Sequence, residues 1–163
     1  MRKSLVSTAA ALLLAFGAAG AHAQVAIANA DFELSTVATD TFDKFSSLGW
    51  NSVQWGWLGG SSKVVDVGGN QMAQVAGGDV IWSSFAASSA GNYQLTFDTV
   101  GDGYVMLYND NTQSTVAQAF VQNAATTQFS TSFALTSTDN YRLYFGTTPL
   151  PPTFNGNLTI DNV

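Results

Sequence analysis

Ala90-Gly91-Asn92-Tyr93-Gln94-Leu95-Thr96-Phe97-Asp98 is the stretch that decides the fold. A small-residue turn opens it. Tyr93, Leu95 and Phe97 then alternate with Gln94, Thr96 and Asp98, the period-2 pattern of a strand with one buried face. The same pattern recurs downstream. In 128–135, Phe129, Thr131, Phe133 and Leu135 share a face, with Ser130 and Ser132 opposite. In 141–145, Tyr141, Leu143 and Phe145 oppose Arg142 and Tyr144. In 158–163, Leu158, Ile160 and Asn162 alternate with Thr159, Asp161 and Val163. Turn residues punctuate the chain at Gly59-Gly60, Gly68-Gly69-Asn70, Gly77-Gly78-Asp79, Gly101-Asp102-Gly103, Asn109-Asp110-Asn111 and Thr138-Asp139-Asn140. Good helix formers are scarce, while Thr, Ser, Val, Gly and aromatics abound. Short strands at this spacing predict a β-sandwich or barrel. Thr148-Pro149-Leu150-Pro151-Pro152 reads as a loop before the last strand, because Pro cannot donate to a ladder. Residues 36–47 read as a long polar loop.

The first residues read differently. Arg2 and Lys3 precede a small, apolar stretch from Leu5 to Gly20, and Ala21-His22-Ala23 forms an A-x-A cleavage site. This is an export signal, so 1–23 are expected to be cleaved and 24–163 to form one domain, secreted or periplasmic. The apolar stretch is too short for a membrane span, and no second one follows, so no integral membrane segment is expected after cleavage. Cleavage leaves Lys44, Lys63 and Arg142 against eleven acids, ten of them Asp. Such a balance argues against nucleic acid, whose phosphates need clustered Lys and Arg. The chain has no Cys, and its single His lies in the leader. Disulfides, thiolate zinc, a Ser-His-Asp triad and a Cys-His dyad are therefore excluded. An Asp pair for glycoside hydrolysis remains open, but the Asp residues sit mostly in turn contexts such as Asp98-Thr-Val-Gly-Asp102-Gly. The chain is expected not to be an enzyme.

Several pieces line up in order: Asn29-Ala-Asp31-Phe32-Glu33, Leu48-Gly49-Trp50, Gly78-Asp-Val-Ile81-Trp-Ser-Ser-Phe85, Ala90-Gly-Asn-Tyr93-Gln-Leu95-Thr-Phe97 and Leu158-Thr-Ile160-Asp161-Asn162-Val163. Together they resemble the galactose-binding-like jelly rolls, especially the carbohydrate-binding modules attached to bacterial xylanases and glucanases. The resemblance spans 29–163. It implies an all-β, two-sheet antiparallel jelly-roll sandwich whose best function is non-catalytic binding of a polysaccharide or glycan. It also implies a structural Ca²⁺ held by Glu33 and Asp161 between the first and last strands, with backbone carbonyls supplying the rest, and Asn29 or Asp31 is placed to add a side-chain oxygen. Calcium wants six to eight oxygens, some of them anionic. The rival class is a structural or adhesive exported protein that uses the same fold without sugar binding.

Glycan binders stack sugar rings on aromatic faces and fix the hydroxyls with polar side chains. Trp50, in the resembling family's Gly-Trp element, reads as structural. In Tyr104–Tyr108, placing Val105 and Leu107 inside turns Tyr104, Met106 and Tyr108 outward. Arg142 and Tyr144 face away from the core set of their own strand. Ile81 and Phe85 inside put Trp82 outside. Tyr104, Tyr108, Tyr144, Arg142 and Trp82 are thus the candidate binding surface, with Trp55 and Trp57 as further candidates beside Val53.

Overall fold

The computed structural model describes residues 25–28, 30–33, 49–54, 62–147 and 156–163, with 52–54 described by backbone alone. The expected leader, Asn29, Trp55, Trp57 and the two predicted loops at 36–47 and 148–152 lie outside the described residues.

Among the described residues eight strands follow in chain order: β1 (Asn51–Gln54), β2 (Lys63–Val67), β3 (Asn70–Val75), β4 (Asp79–Ala86), β5 (Gly91–Asn109), β6 (Ser114–Leu135), β7 (Asn140–Gly146) and β8 (Leu158–Asp161). Every pairing is antiparallel. The order is β1-β4-β7-β5-β8-β3-β2, with β6 running along β5. Strand β5 explains how one hydrogen-bonded sheet becomes a sandwich. Its second half, 104–109, pairs β7, while its middle, 98–101, pairs β8. The long β5–β6 ribbon is therefore shared. One layer is β1-β4-β7 with the later half of β5, and the other is β2-β3-β8 with its earlier half.

Between the layers lies the core. Phe97 of the early half of β5 meets Phe145 of β7 edge-on at 4.9 Å. Ala73, Val75, Ile81, Leu95, Val105, Val121, Leu143, Leu158 and Ile160 fill the space around them. Trp50 is fully buried, 5.1 Å from Phe32 and 5.9 Å from Phe145 between ring centroids. Its indole N–H donates to the carbonyl of Ala28 at 3.1 Å, which satisfies the one polar atom of a buried Trp. The structural reading of Trp50 holds.

The alternating faces in 92–98, 128–135 and 141–145 are all as the sequence predicts. Two expectations need correction. Gly101-Asp102-Gly103 is no turn. It lies inside the 19-residue β5, where the strand crosses from one layer to the other. A register shift between Thr99 and Gly101 marks the crossing, and such irregularities sharpen local twist and bend a strand. The last strand also stops at Asp161, because Asn162 adopts a left-handed backbone with φ 50°. Both faces of β8 are buried, so its Thr159 and Asp161 are covered as well.

Candidate functional site

The outward faces of β4, β7 and β5 share one surface. Cross-strand register places Trp82 beside Tyr144 and Tyr144 beside Met106. The next row holds Ser84, Arg142 and Tyr108. A third row runs Val80, Gly146, Tyr104 and, on β6, Phe120. Five of the seven expected binding residues are thus brought together on adjacent strands, because each strand spends its odd or even positions on the core.

Ring geometry follows from that register. Trp82 and Tyr144 lie 5.8 Å apart, tilted by 32°. Tyr108 meets Tyr144 edge-on at 6.3 Å. Arg142 is fixed at the end of this array. Its Nε donates to Asp110 Oδ2 at 2.9 Å and its guanidinium to the Tyr144 hydroxyl at 3.3 Å. Those bonds, the Tyr144 one foremost, push the Arg142 pKa further up, so the group stays charged. A half-exposed pair of this kind adds little stability. It holds a planar donor next to an aromatic face.

Tyr104 points to the same side but differs in exposure. Only 7% of it is accessible. Its ring lies across Gly146, where an added Cβ would sit 2.5 Å from the hydroxyl oxygen and Cζ. Burial, and then the neighbouring Tyr144, raise the pKa of its hydroxyl. Phe120 is the residue that sequence reading missed. It is 58% exposed at the outer end of the third row. Its signal was weak, since Val116-Ala-Gln-Ala-Phe120 alternates Ala with mixed residues rather than apolar with polar.

The acids at the far end of the fold do converge. Asp161 pairs in register with Asp98. Its Oδ2 accepts from the Asn70 side chain at 2.8 Å and from Asn162 Nδ2 at 3.1 Å, and its Oδ1 accepts the Asn162 backbone N–H at 2.8 Å. Asn162 Nδ2 also donates to Asp98 Oδ2 at 2.9 Å, so one amide bridges two carboxylates. Glu33 Oε1 accepts the backbone N–H of Gln71 at 2.8 Å. Amide donors therefore stand where a cation's positive charge would be needed. Among the described residues no group of three or more His, Cys, Asp or Glu is arranged to hold a metal. Glu33 and Asp161 are each engaged by N–H donors, and Asn29, a third expected ligand, lies outside the described residues.

Two buried carboxylates make a pH signature. Burial raises the Asp79 pKa above its ordinary 3.8, although Ser62 donates through both its hydroxyl and its backbone N–H. Asp161 is raised by burial and by repulsion from Asp98 and Glu33, offset in part by the Asn70 and Asn162 donors. Above pH 3.8 the folded chain therefore binds more protons at these sites than the unfolded chain, and stability falls as pH rises through the raised values. Asp139 is shifted the other way by bonds from Ser137 and Asn109, so its contribution is lost only in more acid solution. The melting temperature should therefore rise as pH falls through the interval between these raised values and 3.8, where the folded chain holds the extra protons. A flat or falling midpoint in that interval would contradict this assignment.

No protein-family profile and no curated protein matches the chain. Solved structures do. A CBM4 carbohydrate-binding module aligns with 85% of this chain and 97% of its own, at 14% identity and a TM-score of 0.57. A carbohydrate-binding module from Cellvibrio mixtus lichenase 5A, solved with cellotriose, covers 64% of this chain and 88% of its own at 12% identity and a TM-score of 0.42. A CBM36 module solved with calcium and xylotriose covers 61% and 83% at 13% identity and a TM-score of 0.43. Among the described residues no helix is long and apolar enough to cross a membrane. With its two antiparallel layers, shared β5–β6 ribbon and alignment over 85% of its length to the CBM4 module, the chain has the all-β jelly-roll fold of carbohydrate-binding modules.

Proposed function

We propose that this chain is an exported, non-catalytic glycan-binding protein whose platform is the outer face of β4, β7 and β5. The observation that carries the reading is the Trp82–Tyr144–Tyr108 array, with Arg142 anchored beside it. Sugar rings present apolar C–H faces and polar rims, so half-exposed aromatics next to fixed polar donors are their natural complement. Trp82, Tyr144 and Tyr108 supply stacking faces. Arg142, Asp110 and Ser84 supply hydrogen bonds. Export to the periplasm or medium rests on Arg2-Lys3, the apolar run and Ala21-His22-Ala23. The reading includes no calcium step, since the Asp161 carboxylate is already satisfied by amide donors.

Affinity electrophoresis against β-glucan and xylan tests it. Trp82→Ala and Tyr144→Ala should each weaken retention by about two- to tenfold, from ~0.5–1.5 kcal/mol per aromatic contact. Both variants should keep the far-ultraviolet spectrum and a melting temperature near that of the parent. Failure of the well-folded parent to bind any polysaccharide would instead favour the structural or adhesive class.

A further inference from the structure

Strand β6 is an edge of unusual character. It runs for 22 residues, pairs only β5 among the described strands, and contains no charged residue, no Pro and no Gly. Natural sheets usually blunt their edges with charge, Pro or brevity, because a bare ladder of N–H and C=O groups recruits another strand. The whole chain carries eleven Asp and Glu against five Lys and Arg, and none of them lies on β6.

Its irregularities single out one segment. Register along β5 shifts at Leu107/Tyr108 and again at Thr99/Gly101. Between those shifts β6 is regular over Ala117–Asn123, and Phe120 is its centre. Phe120 is also the exposed aromatic of that segment. We propose that β6 is a homodimer edge, with two copies pairing antiparallel through Ala117–Asn123 about a two-fold axis at Phe120. The two-fold sets Phe120 opposite Phe120 of the partner subunit, and Gln118 opposite Gln122 of the partner subunit, both on the outer face. A copy of this chain is the fitting occupant. An isologous contact needs a surface complementary to itself, and an uncharged strand with its aromatic at the centre is such a surface. Identical charged edges would repel across the axis, whereas cross-strand aromatic pairs attract. The contact also aligns the rows Tyr104–Phe120 of both copies into one continuous strip, and it stands whether or not that strip binds a glycan.

Sedimentation of the purified protein over a wide concentration range reads the assembly. The parent should show a monomer–dimer equilibrium. Phe120→Lys places two ammonium groups on the axis and should move the midpoint at least about tenfold higher in concentration. Since the chain has no Cys, a single introduced thiol reports position. Antiparallel partners at an axis have Cα atoms about 4.5–5.5 Å apart, within disulfide range. Oxidised glutathione should therefore convert Phe120→Cys to covalent dimer much faster than Ser132→Cys, which lies on the same strand beyond the second register shift. A parent monomeric throughout would overturn the proposal, as would equal cross-linking of the two thiols or a dimer indifferent to Phe120→Lys. A variant that stays monomeric like its parent but loses glycan retention would assign Phe120 to the sugar platform instead.

Discussion

Replacing Gly101 by Ala should leave little or no folded protein. Gly101 has φ 100°, a backbone conformation that residues with a Cβ rarely adopt. The added Cβ would overlap the carbonyl oxygen of Asn157 and lie 3.1 Å from its carbonyl carbon and 3.4 Å from the Leu158 Cα. All three atoms belong to backbone, so no side-chain rotation relieves the clash. To make room, the start of β8 must move away from β5. That strand carries Leu158 and Ile160, both fully buried, and it is the link by which β3 and β2 join the sheet. Backbone strain of this sort costs about 1–3 kcal/mol before any packing is lost. A domain has roughly 5–15 kcal/mol in total. Gly156 is the control, since a Cβ there meets nothing within 4 Å and Gly156→Ala should be close to neutral. The comparison is made by urea unfolding of both variants. A Gly101→Ala protein with a midpoint near the parent's would show that β8 does not approach β5 as closely as described.

The same glycine shows where sequence reading stops. Gly101-Asp102-Gly103 has the composition of a turn, and local chemistry alone assigns it as one. What composition lacks is the reason for the glycines. Gly101 makes room for the backbone at Asn157, and Gly103 for the carbonyl of Gly146 and the side chain of Leu158. These are contacts between residues more than forty positions apart, invisible to a local window. Tyr93, Leu95 and Phe97, by contrast, were legible because alternation is a local consequence of burying one face. The outward set was legible for the same reason. Once Val105 and Leu107 are inside, Tyr104 and Tyr108 must be outside. That Trp82, Tyr144 and Tyr108 come together was not legible, since it depends on β4, β7 and β5 being neighbours although β6 intervenes in the chain. Exposure was less legible still. Period-2 logic gives the direction of Tyr104 but says nothing of what covers it.

Tyr104 is therefore expected to behave as a core residue on an outer face. Tyr104→Ala should lower stability by about 3–5 kcal/mol, the range for truncating a large buried aromatic. With 7% of the residue accessible, its ring has little face left for a sugar to cover. Tyr104→Phe separates ring from hydroxyl. The ring's packing across Gly146 is kept, so this variant should unfold close to the parent, and a large loss would place the weight on the hydroxyl instead. Tyr144→Ala supplies the contrast, because its half-buried ring touches both Trp82 and Tyr108 at the accessible part of the array. The two substitutions should split cleanly: Tyr104→Ala loses melting temperature, and Tyr144→Ala loses glycan retention while keeping the fold. Should Tyr104→Ala melt like the parent and lose retention, the sugar platform would centre on β5 and extend toward Phe120. If both variants lost only stability, this face would be packing surface, and the adhesive reading would rest on the β6 edge.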